Sequence, residues 1–206
     1  MTRIFCTLLI FLSCITLTAQ NQKDVKRQKD DFFNKAKLVG LSQPKAEALY
    51  SITLQRNKVL SSIKDSRKKS NHPMSIIEVP SSRVVAVTQK EFHTKVVELL
   101  SLKEYSDFSK DAIEPYVDVQ TEIKLKQLLK NYDFTSKELN EVKQSVRDYY
   151  SKKILNMAYY KYDKKKLRGK LGVLELYFKK DFIKTMESFN KSFNNGKAKN
   201  INDYEW

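Results

Sequence analysis

Ten lysines and arginines crowd into residues 143–170: Lys143, Arg147, Lys152, Lys153, Lys161, Lys164, Lys165, Lys166, Arg168 and Lys170. Only two acids, Asp148 and Asp163, stand among them, which leaves an excess of eight positive charges, over half the +15 of the whole chain. Five of the eleven tyrosines, Tyr149, Tyr150, Tyr159, Tyr160 and Tyr162, lie in the same stretch. A tyrosine offers an apolar ring with a polar tip, and a lysine a long apolar stem with a mobile charge. Interleaved, they suit the holding of flexible, acidic, partly apolar chains without strict geometry. The candidate client-binding residues are therefore Arg147, Tyr149, Tyr150, Lys152, Lys153, Tyr159, Tyr160, Tyr162, Lys164, Lys165 and Lys166. A plainer reading competes: Tyr149, Tyr150 and Tyr160 fall on one helical stripe and belong to a core, with the lysines as its solvated face.

Other chemistry is poorly served. The two histidines, His72 and His93, have no partners at metal-ligand spacing, and surface placement is their default. Four scattered glycines make no phosphate loop. The acids read as solvated helix charges, with no pair in a recognisable acid–base role. No catalytic residue, metal site or cofactor is expected, and the chain does not read as an enzyme. Basic residues interleaved with aromatics also suit nucleic acid. Lysine far outnumbers arginine, however, which favours diffuse charge over bidentate base reading. Export would also remove most nucleic acid from reach, while anionic envelope surfaces remain as electrostatic partners.

Residues 1–19 have the form of a secretory signal. Arg3 precedes an apolar run of about 15 residues, shorter than the roughly 20 that span a bilayer, and Ala19 precedes the polar Gln20-Asn21-Gln22. Cleavage after Ala19 would leave 187 residues, a net charge of +14 and no cysteine, because Cys6 and Cys14 both lie in the segment. Disulfides and thiolate chemistry would then be excluded. Leu12-Ser13-Cys14 offers a competing lipoprotein signal, with Cys14 as the lipidated first residue. Phe11 stands where such signals prefer leucine, so the ordinary site is favoured, and the expected location is periplasmic or secreted.

The remainder must position the basic stretch, and it reads as helix throughout. With four glycines and four prolines in 206 residues, β-sandwich and Pro-rich architectures are disfavoured, and 41% hydrophobic residues are too many for disorder. Residues 24–39 predict a helix stopped by Gly40. Ser42 and Pro44 open a second to about residue 68, with Leu49, Ile52, Val59, Leu60 and Ile63 as its apolar stripe. Pro73 and Pro80 break the pattern. Residues 84–99 predict a helix with Val85, Phe92, Val96 and Leu99 on one side, although Val84 to Val87 also suit a short strand. A short helix follows Ser101 and ends before Pro115, and another covers 117–130. The clearest pattern runs from Ser136 to Leu167 (Leu139, Val142, Val146, Tyr149, Tyr150, Ile154, Met157, Tyr160), a single helix of roughly 45 Å. Gly169 and Gly172 punctuate it. A last helix over 171–190 carries Leu174, Phe178, Phe182, Met186 and Phe189, and Asn194-Asn195-Gly196 ends it. The expectation is an all-α fold, an elongated bundle of long antiparallel helices in two related hairpin units, 22–112 and 116–193, with 194–206 a frayed tail.

A short pattern recurs at helix starts. Leu100-Ser101-Leu102-Lys103-Glu104 and Phe134-Thr135-Ser136-Lys137-Glu138 both read apolar, hydroxyl, two residues, Glu. This is a capping box preceded by a staple residue. Leu41-Ser42-Gln43-Pro44-Lys45 has the staple and the cap but Lys in the reciprocal position. On these residues the chain resembles the Spy/CpxP family of periplasmic proteins, marked by a Leu-Thr-x-x-Gln motif early and late in a helical unit. Leu41-Ser42 would match the early copy, Leu100-Ser101-x-x-Glu104 the late one, and Phe134-Thr135-x-x-Glu138 would open a second unit; none carries the Gln. The resemblance covers residues 29–112 best. It implies a curved antiparallel homodimer whose concave face binds unfolded or stress-damaged clients without ATP, or a modulator of envelope-stress sensing. The alternative is an envelope adaptor, not a chaperone, that binds anionic surfaces or an acidic partner through 143–170.

Overall fold

The computed structural model describes residues 22–69 and 81–189. The signal segment 1–19 with both cysteines, the connector with His72, and the tail 194–206 lie outside them. Every described element is an α-helix: α1 (Gln22–Leu38), α2 (Gln43–Lys69), α3 (Ser81–Leu99), α4 (Leu102–Leu129), α5 (Ser136–Tyr159) and α6 (Lys164–Ser188). The chain forms two compact units that meet between Lys110 and Asp111, inside α4.

In the first unit the local signals act as expected. Gly40 takes φ +73°, the left-handed conformation that glycine adopts without a Cβ penalty. The Leu41 amide then donates to the Ala36 carbonyl (3.0 Å) and the Gly40 amide to the Lys37 carbonyl (3.1 Å). This pair of bonds closes α1 as a Schellman turn and brings Leu41 back onto Ala36. Both join a buried cluster with Phe32, Ala46, Leu49, Val96 and Leu100. Phe32 is its aromatic hub, with ring centroids 5.1 Å from Tyr50 and 5.4 Å from Phe108.

Beyond Leu49, α2 departs from its predicted stripe. Val59 is exposed and Leu60 and Ile63 are half-buried, whereas Ala46, Leu49, Thr53, Arg56 and Asn57 are buried. The helix thus buries small and polar side chains where it lies along α3, whose own Thr88 is buried. Thr53 stays satisfied by donating its hydroxyl to the Leu49 carbonyl (2.8 Å), and an arginine stem can cover apolar surface as a hydrocarbon does. In α3, residues Val84 to Val87 are helical and not a strand. Phe92 and Val96 are buried as expected, while Val85 and Leu99 are half-buried.

Two helix boundaries are corrections. The helix after Ser101 does not end before Pro115; α4 runs through it to Leu129. An interior proline costs about 3 kcal/mol in an isolated helix. Here Pro115 lies on the exposed side, and the opposite side buries Ile113, Val117 and Thr121. That burial outweighs the missing amide bond. Conversely, the single helix expected over 136–167 is two. α5 stops at Tyr159, about 36 Å from its start, and α6 starts at Lys164. Asp163 is the reason: its carboxylate accepts the Lys166 amide (3.0 Å) as an N-cap. The turn places Gly169 and Gly172 inside α6 and not at a break.

The second unit buries Val142, Val146, Tyr149, Tyr150 and Ile154 of α5 against Phe178, Phe182 and Met186 of α6, with Ile113, Val117, Leu125 and Leu128 of α4 also buried. The two glycines of α6 are exposed, and a Cβ on either would meet nothing within 4 Å. A helix-interior glycine costs roughly 0.5–1 kcal/mol relative to alanine. Gly169→Ala and Gly172→Ala are therefore each expected to raise stability by about that amount. The measurement is urea unfolding, where the midpoint should rise with an unchanged slope; a fall in midpoint would refute the open-space assignment.

Candidate binding surface

Two of the three capping motifs form as full boxes, and a contact that the sequence does not announce joins the remaining one to the box at Ser101. At α4, the Ser101 amide donates to Glu104 Oε2 (2.8 Å) and the Glu104 amide donates to Ser101 Oγ (3.3 Å). At α5, the Thr135 amide donates to Glu138 Oε2 (2.7 Å) and the Glu138 amide to Thr135 Oγ1 (3.3 Å). Both are reciprocal capping boxes. Leu100 is buried with Tyr105 packed on the same cluster, which is the staple placement. Lys45, the residue that spoils the Leu41-Ser42 copy, donates to both carboxylate oxygens of Glu104, at 2.7 and 2.9 Å. Glu104 thus caps its own helix and receives α2's lysine. The Lys45 ammonium first, and then the Ser101 donors, hold its carboxyl down to a pKa of about 2. Of the motif residues, Ser101, Glu104, Thr135 and Glu138 act in capping and Leu41 and Leu100 in packing; Phe134 lies against Tyr132, with ring centroids 6.0 Å apart, and Ser42 is exposed.

The basic, tyrosine-rich stretch divides into three layers of accessibility. Tyr149 and Tyr150 are buried, and they are not part of an open face. The Tyr149 ring stacks on Phe178 with centroids 4.3 Å apart and meets Tyr150 edge-on at 5.2 Å. Burial pushes both phenols' pKa values up. Arg147 is engaged inside the unit: it donates to Glu114 of α4 (2.7 Å) and to Asp118 one turn further on. Those two carboxylates raise its pKa further. Their i, i+4 spacing on α4 was the signal for this clamp.

Lys153 belongs to a middle layer. Its Nζ donates to the Tyr149 hydroxyl (3.2 Å) and lies 5.2 and 5.7 Å from the Tyr149 and Tyr150 ring centroids. Burial lowers its pKa, partly opposed by the Glu175 charge. Lys124 of α4, which sequence reasoning did not single out, is buried, and its pKa is lowered by burial and then by Lys153. Its side chain carries charge into the core face of a helix, where spacing alone predicts an apolar residue.

The outer layer is the turn and the first turn of α6. Tyr159, Tyr160 and Tyr162 are half-buried, with Tyr159 edge-on to Tyr160 at 4.9 Å and Lys161 Nζ 5.4 Å from the Tyr162 ring. Lys152, Lys164, Lys165 and Lys166 are exposed. Asp163 is their counterion, with its carboxyl pKa lowered by the Lys166 amide before any other cause. Its Oδ2 lies 3.3 Å from Lys166 Nζ. Of the eleven candidates, Lys152, Lys164, Lys165 and Lys166 are exposed, Tyr159, Tyr160 and Tyr162 are half-buried, Arg147 and Lys153 are half-buried and engaged with neighbours, and Tyr149 and Tyr150 are buried.

Further along α6, Val173, Leu176 and Tyr177 stand exposed, at 55%, 68% and 63%. They recur at i, i+3 and i+4 about half a turn away from Phe178 and Phe182. Their signal was a second apolar stripe offset from the core stripe on the same helix. Among the described residues no group of three His, Cys, Asp or Glu is placed to hold a metal, and no helix is long and apolar enough to cross a membrane. No protein-family model matches this chain, and no curated protein or solved structure matches it either.

Proposed function

We propose that the chain is an exported binding protein, not an enzyme, that holds unfolded or acidic polypeptides on the basic, aromatic region between α5 and α6. In this reading it acts as an ATP-independent periplasmic holdase or envelope-stress modulator, as the Spy/CpxP resemblance of its capping motifs implies. The observation that carries the reading is the first turn of α6. Three exposed lysines, Lys164, Lys165 and Lys166, sit at the positive end of the helix dipole, with no acid inside that turn. Cations there oppose the dipole and one another and weaken the helix. Only Asp163 offsets them, so the arrangement is a poor device for stability and a good one for attracting anionic groups. Tyr159, Tyr160 and Tyr162 beside it add partly exposed rings for apolar contact.

The test is aggregation of a denatured acidic client at stoichiometric ratio without nucleotide. The wild-type chain is expected to suppress aggregation at low salt. Charge reversal of Lys164, Lys165 and Lys166 to Glu should weaken suppression by about tenfold or more. Coincident traces with and without the protein at every salt concentration would remove the reading.

A further inference from the structure

We propose that the outward face of α6 docks on an anionic lipid bilayer as a peripheral contact. Phe178, Phe182 and Met186 direct one side of α6 into the core. At 100° per residue, Val173, Leu176 and Tyr177 lie on the opposite side, within an arc of about 120° that also takes in Lys165, Lys166 and Lys180. All six are exposed. Lys184, also exposed, continues the arc toward the C-terminus. The apolar ridge is thus bracketed by lysines at both ends. Glu175 lies off this arc, 3.1 Å from Lys179, and Glu187 is the only carboxylate on it, beyond Lys184.

This pattern fits a planar anionic surface. The three apolar side chains can enter the headgroup–acyl boundary while the lysine stems follow and leave their ammonium groups at phosphate level. A captured polypeptide helix needs a groove; this is the crest of a helix, and a Cβ on Gly169 or Gly172 beside it would meet open space. Lysine, a mobile point charge, suits unpatterned headgroup charge better than bidentate recognition. No described helix crosses a membrane, so the contact is one of surface attachment. The inference goes beyond the client-holding role, with which it shares Lys165 and Lys166 but not Val173, Leu176, Tyr177, Lys180 or Lys184.

The experiment is co-flotation of the full chain with vesicles of mixed phosphatidylglycerol and phosphatidylcholine, or of phosphatidylcholine alone. Partition into the mixed vesicles is expected to exceed that into neutral ones by at least about tenfold and to fall with salt. Val173→Ser, Leu176→Ser and Tyr177→Ser together should reduce it by about tenfold, as should Lys180→Glu with Lys184→Glu. Circular dichroism should stay unchanged, because every altered side chain is exposed. Equal partition into both vesicle types would overturn the inference. So would anionic binding indifferent to the triple serine variant, since only diffuse charge would then be at work. Retention of an acidic amphipathic peptide by this face without vesicle binding would also overturn it, in favour of a polypeptide partner. Both serine and glutamate variants leave Lys164 and the tyrosine-bearing turn intact. Client suppression that persists in them while flotation is lost separates the two readings.

Discussion

Replacing Phe182 by Ala is expected to lower stability by about 3–5 kcal/mol. Phe182 is fully buried, and Val142, Val146 and Met186 are equally inaccessible. Its ring lies 5.4 Å from Phe178, which in turn stacks on Tyr149. Removing it forfeits the transfer of a large apolar side chain from water and leaves a void. The neighbours are held by helical backbones and can close that void only in part. A loss of this size is a large share of the 5–15 kcal/mol that typically separates folded from unfolded chains. Urea unfolding followed by near-ultraviolet circular dichroism gives the measurement, because the adjacent tyrosines report on packing. Leu176→Ala, a similar truncation on the exposed face of the same helix, should change stability by no more than about 0.5 kcal/mol. A Phe182→Ala loss below about 1 kcal/mol would mean that α6 does not dock as described.

The second large effect concerns Glu104. Glu104→Ala removes an N-terminal cap and an inter-helix ion pair together, with an expected loss of about 1–2 kcal/mol. Glu104→Gln separates the two contributions, because a glutamine at the third helical position can still return to the Ser101 amide. It should lose only the Lys45 attraction, which is worth under about 1 kcal/mol between partly exposed groups. A distinct acid dependence follows. The folded carboxyl titrates near 2 against an ordinary value of 4.5, so the folded state holds its proton less tightly than the unfolded state. The stabilisation is fully present above pH 4.5 and is lost progressively as pH falls from 4.5 toward 2. In Glu104→Gln this part of the acid limb should flatten. Parallel acid-unfolding curves for wild type and variant would show that Lys45 and Glu104 do not pair in solution.

How far the sequence reaches is clearest where one residue's signal is local. Gly40 ends α1 because no other residue takes its backbone angle so cheaply. The Ser101/Glu104 and Thr135/Glu138 boxes cap their helices because donor and acceptor are three residues apart. The i, i+3, i+4 recurrence of Val142, Val146, Tyr149, Tyr150 and Ile154 marks a buried stripe, and the structure buries all five. All-α character follows from the sum of such signals. The same stripe also supplied the plainer reading of Tyr149 and Tyr150, which the structure adopts. The lysines at 164–166 are exposed as their charge alone would require.

What the tertiary structure decided depends on partners far apart in the chain. Pro115 reads as a terminator from its own chemistry, yet α4 continues because one side of that turn is buried, an energy that no local rule contains. α5 stops at Tyr159 although its periodicity runs on, because Asp163 caps a new helix that can fold back and bury Phe178 and Phe182. Lys45 meets Glu104 across 59 positions and Arg147 meets Glu114 across 33. Charges separated in this way attract only after the helices that carry them have packed. Sequence by itself thus determined a helical, strongly basic chain with defined caps and one dense lysine–tyrosine segment. Packing decided which of those residues became core, which became clamps and which remained exposed. The reason is that helical periodicity is set within a few residues, whereas burial is set by whatever helix comes to lie opposite.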